Sequence, residues 1–331
     1  MQLYKDTNNC SEIYKDWFMK NIKKLIAAFF VLDLTLCVLV AVVLGKRKEE
    51  LGSPQAVFAA DRQMNIGNGS SKGIIEENYW NFVHKSYILV GNAPDYEFYK
   101  IVSEVPRNDY KPELFYREEN GLMYYHDENG NRLSKVAVDV SVYQGDVNWQ
   151  ALADAGVDIV MIRAGFRGYG NGEIKTDTSF GANVQGAKAA GLRVGAYFFS
   201  QALNTSEGEE EASYVLNLAY AYGVDGPIAI DTELVADETA RTYNLDITSR
   251  TDGVIGFCET VKASGYEPMI YANRNWYVQN LDMTRLGSYK LWVAQYVDTP
   301  DFPYLYNGWQ YTDEGSIPGI SGNIDLNVWF D

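Results

Sequence analysis

Histidine is nearly missing from this chain: there are two in 331 residues, His84 and His126, and none after them. A histidine-based triad or a histidine-rich metal centre is thereby excluded from everything beyond residue 126. Cysteine is as scarce. Cys10, Cys37 and Cys258 stand far apart with no pairing pattern, which excludes a disulfide framework and a cysteine zinc site. No metal or cofactor is expected. Positive charge also runs short: the net charge is -16, and residues 136–331 hold 26 Asp and Glu against 11 Lys and Arg, whereas residues 1–135 hold 18 against 17. A surface of that sign repels nucleic acid and anionic lipid, so a polymer bound by the C-terminal part is gripped by stacking and hydrogen bonds. The 25 Tyr and 7 Trp suit that task.

What is present begins with a polar segment, residues 1–24, closing with Lys20, Lys23 and Lys24. Residues 25–44, from Leu25 to Leu44, are apolar apart from Asp33, and at about 1.5 Å per residue they reach across a hydrocarbon core of about 30 Å. One carboxylate at mid-depth costs about 2.5–3.5 kcal/mol on insertion scales, which the surrounding Leu, Val, Ile and Phe outweigh. A cleaved signal peptide ending near Ala56, Ala59 and Ala60 fits less well, because the run is long and Lys46-Arg47-Lys48-Glu49-Glu50 separates it from those small residues. The expectation is a transmembrane helix over residues 25–45, a Gly-, Ser- and Asn-rich linker over 46–72, and a small region over 73–135. That region ends in a hairpin signal, Asn129-Gly130 within Asp127-Glu128-Asn129-Gly130-Asn131.

From Val136 onward, apolar strand-like runs alternate with helical stretches. Strands are expected at 136–140, 159–164, 193–199, 228–233 and 268–272, with helices between them closed by Gly191 and Gly265 at C-cap positions. Three more strand-like runs, 291–295, 309–312 and 324–329, follow at spacings read as too short for crossover helices, so these strands are expected to run antiparallel or turn irregularly. The predicted fold is α/β: a modified TIM-type (β/α)5β3 barrel over residues 136–331, with its site at the C-terminal strand ends.

One run stands out, Pro227-Ile228-Ala229-Ile230-Asp231-Thr232-Glu233-Leu234, apolar until it ends in two carboxylates. Strand side chains alternate faces, so Asp231 and Glu233 point the same way. Like charges held close raise at least one pKa, which keeps a carboxyl group protonated near neutrality and able to hand on its proton. Two further acids sit at strand ends: Asp139, with Gln144 shortly after it, and Asp325 in the final run. Tyr271, Trp292, Gln295, Tyr296, Trp309 and Gln310 gather at late-strand positions and describe an aromatic groove.

These pieces occur in an order that resembles glycoside hydrolase family 25, the Chalaropsis-type lysozymes or muramidases. The matching residues run from Asp139-Val140-Ser141-Val142-Tyr143-Gln144-Gly145 through Ile162-Arg163-Ala164-Gly165, the stretch ending at Gly195-Ala196-Tyr197, Ile230-Asp231-Thr232-Glu233 and Leu291-Trp292-Val293-Ala294-Gln295-Tyr296 to Asp325-Leu326-Asn327. The resemblance implies cleavage of the β-1,4 bond between N-acetylmuramic acid and N-acetylglucosamine in peptidoglycan, with no cofactor. It implies Glu233 as general acid, Asp231 as the partner carboxylate that orients or stabilises the substrate acetamido group, and Asp139 and Asp325 as the other acids of the cleft. Gln144, Tyr197, Tyr271, Trp292, Gln295, Tyr296 and Gln310 are the expected substrate contacts. One departure is Phe198, where many members carry a histidine, which puts one such contact in question. A peptidoglycan substrate orients the chain with residues 1–24 in the cytoplasm and the hydrolase outside, held to the cytoplasmic membrane by the span at 25–45. A chitinase-like hydrolase is the nearest rival, though Ala229 stands where its D-x-D-x-E signature opens. The other is a wall-binding anchor without turnover, against which four retained acids argue.

Overall fold

The computed structural model describes residues 83–91 and 96–331. The expected transmembrane helix and linker lie outside the described residues. Apart from Gly91, what is described falls in the compact unit formed by Tyr79–Val90 and Tyr96–Asp331.

Thirteen strands are described. Two hairpins come first, β1 (Tyr87–Val90) with β2 (Glu97–Lys100), and β3 (Phe115–Arg117) with β4 (Met123–Tyr125). The main sheet follows: β5 (Lys135–Val140), β6 (Ile159–Arg167), β7 (Ile174–Thr176), β8 (Arg193–Phe199), β9 (Ile228–Asp231), β10 (Pro268–Asn273), β11 (Lys290–Ala294), β12 (Gly308–Gly315) and β13 (Ile324–Trp329). Eight of these strands close a barrel through the β5–β6 pairing, and β7 is appended to the edge of β6 as an antiparallel ninth. Helices α1 (Trp149–Asp154), α2 (Phe180–Ala189), α3 (Thr205–Tyr222), α4 (Ile247–Ala263) and α5 (Arg274–Asn280) intervene. The long ones have sequence reasons to start and stop. Asn204 and Asp246 cap the first turns of α3 and α4 through their side chains, and Gly223 ends α3 in the left-handed conformation.

The expected fold needs correcting. The barrel is mixed and distorted, with β13 antiparallel to both β12 and β5 and with register shifts in the β6–β8 and β12–β13 pairings; it is not the expected TIM-type (β/α)5β3 barrel. Among the described residues no helix is long and apolar enough to cross a membrane. The strands expected to reverse also differ: β11 and β12 run parallel to their predecessors, and β13 alone turns back. The reason lies in the connections. The stretch after β10 contains α5, and residues 295–307 supply about the dozen residues that a parallel crossover needs without forming a helix.

No α-helix falls between β11 and β12 or between β12 and β13, and other chain packs against that side. Phe115 packs edge-on against Trp309 at 5.2 Å, and Tyr110 stacks on Phe330 at 4.5 Å. Asn108 Nδ2 donates to the carbonyls of Phe302 (2.7 Å) and Tyr304 (3.0 Å), and the Tyr110 hydroxyl donates to Tyr306 O at 3.1 Å. Residues 101–125 thus do the work of the missing outer layer.

Inside the barrel, period-two alternation sends one set of side chains to the axis. Ala137, Ile159, Met161, Ala229, Met269, Trp292 and Trp329 form an apolar floor, on which Tyr197 and Tyr271 pack. Gly308 makes room for it: a Cβ there would meet Trp292 at 2.7 Å and Trp329 at 2.9 Å.

Candidate active site

Two residues further along each strand, the same parity reaches the next layer: Asp139 on β5, Arg163 on β6, Tyr197 on β8, Asp231 on β9, Tyr271 on β10 and Gln310 on β12. On β13 the order is inverted. Because that strand runs backwards, Asn327 and Asp325 precede Trp329, and Asp325 stands directly across from Asp139 in the register. An acid at the start of the last strand therefore joins acids at the ends of the others.

Asp139 is buried and well supplied with donors. Its Oδ2 accepts from Asn327 Nδ2 at 2.8 Å, and Gln310 Nε2 lies 3.1 and 3.2 Å from its two oxygens. The amides are oriented in turn. Trp292 Nε1 donates to Asn327 Oδ1 at 2.7 Å, while the Tyr271 and Tyr296 hydroxyls donate to Gln310 Oε1 at 2.8 and 2.9 Å. With both amide oxygens already engaged by donors, both NH2 groups must face Asp139. Burial raises the Asp139 carboxyl above its ordinary range, and the bonds from Asn327, Gln310 and Asp325 pull it back. Asp325 is pushed up to about 9, by burial first and then by the charge of Asp139 and the hydrogen bond to it. The shared proton therefore sits on Asp325, which donates it to an anionic Asp139.

Asp231 ends β9 at 5% exposure. The strand stops there, two residues short of the expected end, so Glu233 sits in the following loop and is half-buried. Burial and then the charges of Glu233 and Asp139 push Asp231 well above its ordinary value, and Arg163 opposes them. Its Oδ1 has no partner among the described residues. Glu233 is raised by burial and by the charge of Asp139. Four carboxyl groups thus influence one another. All four hold protons more tightly than a free carboxyl does, and Asp139 is the one met by amide donors.

The expected substrate contacts divide. Tyr197, Tyr271, Tyr296 and Gln310 gather around the carboxyls. Trp292 lies beneath at 1% exposure and acts through Asn327. Gln144 and Gln295 serve local structure: Gln144 Oε1 caps Ser141 N at 2.8 Å, and Gln295 Nε2 donates to Asp301 at 2.6 Å. Phe198, at the position of the family's histidine, points out of the barrel and is fully buried against Tyr214 of α3. Strand parity hence removes it from the cleft. Asn327 and Arg163 were missed as site residues, although both share the parity of the acids.

The loop that carries Glu233 is held at its far end. Arg250 of α4 donates to the carbonyls of Thr242 (2.9 Å) and Leu245 (3.3 Å) and stacks on Trp276, and the Thr242 hydroxyl donates to Gln201 at 2.6 Å. Behind it, buried Glu211 takes Arg167 Nε at 2.7 Å and is raised to about 7 by its burial, against the pull of Ser200 and Arg167.

The family model described as Glycosyl hydrolases family 25 matches residues 138–320, more than half of the chain. The chain is 31% identical over 191 residues to the autolytic lysozyme of Clostridium acetobutylicum, covering 57% of this chain and 54% of that protein. It is 29% identical over 205 residues to lysozyme M1 of Streptomyces globisporus, covering 57% and 66%. The match thus spans about half to two thirds of these relatives' length. Among solved structures, the modular autolysin LytC of Streptococcus pneumoniae superposes with a TM-score of 0.54 at 23% identity, over 74% of this chain and 56% of that one, a likeness of fold. The parity that gathers Asp139, Asp231 and Asp325 at one mouth with Glu233, together with the match over residues 138–320, makes the chain a member of glycosyl hydrolases family 25.

Proposed function

We propose that this chain is a peptidoglycan muramidase of the Chalaropsis type, cleaving the β-1,4 bond between N-acetylmuramic acid and N-acetylglucosamine. The observation that carries the reading is the cluster of four carboxyls around a donor-locked anion, set above an apolar floor and rimmed by tyrosines. Glycosidic cleavage needs a proton at the leaving oxygen and negative charge near the oxocarbenium-like centre. Glu233 supplies the proton. Burial and the charge of Asp139 raise its carboxyl above the ordinary range, and it is half-buried on a loop at the mouth, whereas the Asp325 proton is engaged with Asp139 and Asp231 is buried at the end of β9. Asp139 supplies the fixed charge. Asp231, with one oxygen unpartnered and Arg163 nearby, is the acceptor for the substrate acetamido N–H.

The family and the lysozyme relatives support a glycosidase acting on peptidoglycan. Such a substrate calls for the catalytic part to lie outside the cytoplasmic membrane, which protease accessibility on intact cells tests. Attachment through residues 25–44 is an expectation resting on hydropathy alone, and fractionation checks it. The activity is tested by Glu233→Gln: lysis of purified sacculi falls by about 10²–10⁴-fold while sedimentation with sacculi is kept. Undiminished lysis, or faster cleavage of chitin oligomers than of peptidoglycan, overturns the reading.

A further inference from the structure

Arg163 is fixed on several sides. Buried Asp177 accepts from its Nε at 2.9 Å and pairs with Nη2 at 2.8 Å, and the guanidinium lies 5.9 Å from the centre of the Phe166 ring and 4.9 Å from that of Tyr143. The same Asp177 carboxylate accepts the Val142 N–H at 3.0 Å and the Ser179 N–H at 3.0 Å, so it also locks the backbone beside Tyr143. Yet the Tyr143 side chain is 81% exposed, far above any other large apolar or aromatic side chain described. One ring face lies on the cation and the other is open to solvent. The ring stands just past the end of β5, four residues after Asp139, and Arg163 itself acts on Asp231, so this open face borders the carboxyl cluster.

Leaving a tyrosine so exposed forgoes the gain of burying it, and bracing it against a locked arginine removes the freedom an exposed side chain ordinarily keeps. An immobile, open aromatic face is complementary to one ligand chemistry found on glycans, the C–H face of a pyranose, whose weakly positive hydrogens meet the negative face of the ring. We propose that Tyr143, braced by Arg163 and Asp177, is a stacking platform that holds one pyranose of the glycan strand beside the bond to be cut. The proposal rests on the hydrolase reading above and adds a binding residue to it.

The test is initial-rate kinetics of the full chain on soluble, uncrosslinked glycan strands, together with thermal unfolding. Tyr143→Ala raises KM about five- to tenfold while kcat changes far less, and the melting temperature stays put because the side chain packs against little else. Tyr143→Phe and Tyr143→Trp keep a low KM, since the ring and not the hydroxyl does the holding. Arg163→Met frees the ring and raises KM in the same direction. A Tyr143→Ala enzyme with wild-type KM overturns the platform and leaves the hydrolase reading standing, and so does a KM restored by no aromatic residue. Absence of new reducing ends from the wild-type enzyme overturns the hydrolase reading, and the platform falls with it.

Discussion

Asn327 shows how one side chain can decide the charge of another. It is fully buried and spans three partners: Trp292 Nε1, Ala137 O and Asp139. Asn327→Leu leaves the indole N–H unpaired and takes one of the two amide donors from Asp139 Oδ2, and the expected cost is about 1–3 kcal/mol in chemical denaturation, with a loss of kcat as Asp139 drifts toward its protonated form. Asp325 works in the opposite sense. Its folded pKa of about 9 lies above the ordinary 3.8, so between those values the native state binds more protons than the unfolded chain, and stability falls as pH rises through that window. Asp325→Asn removes the dependence. Its stability relative to wild type should grow steadily from pH 5 to pH 9, while activity drops; a constant difference would show that Asp325 is ionised throughout. The acids were legible in the sequence because each closes or opens an apolar run. Asn327 and Arg163 were legible in principle, two residues along from a core position on the same strand face, but an amide and a cation on a strand carry no signal until the parity of the whole barrel is known.

At the scale of elements, the loop after β9 matters most. Its sequence looked like a continued strand ending in Glu233, but the strand stops at Asp231 and Glu233 belongs to the loop anchored by Arg250 and Thr242. Propensity could not place that boundary, since Thr232 is as good a strand residue as its predecessors and the backbone leaves the sheet for tertiary reasons. Arg250→Met should destabilise the protein by roughly 1–3 kcal/mol, through two lost bonds from a charged donor, and should lower kcat more than it raises KM by loosening the proton donor. Steady-state kinetics beside a melting curve checks both. β13 is the second element that sequence reasoning misread in part. It was recognised as a strand with an acid in it, yet only its reversal explains how an aspartate at its beginning meets one at the end of β5.

For the whole molecule, the barrel and the segment before it are physically continuous. Tyr110, Phe115 and Asn108 pack against the last strands and the loop before β12. A fragment starting at residue 136 exposes Trp309 and Phe330 and should aggregate or melt well below the full chain, whereas one starting at Tyr79, where the compact unit begins, should unfold cooperatively. Circular dichroism melts of the two fragments decide this. The sequence of residues 73–116 gave no hint of that role, because a covering layer is recognised by what it touches and those partners lie some two hundred residues away.

The central proposed step is proton transfer from Glu233 to one particular sugar linkage. Mass spectrometry of muropeptides released from purified sacculi tests it most directly: the new reducing ends should be N-acetylmuramic acid with the wild-type enzyme and should vanish with Glu233→Gln. New ends on N-acetylglucosamine, cleavage confined to the peptide stems, or muramic acid ends persisting in the variant would contradict it.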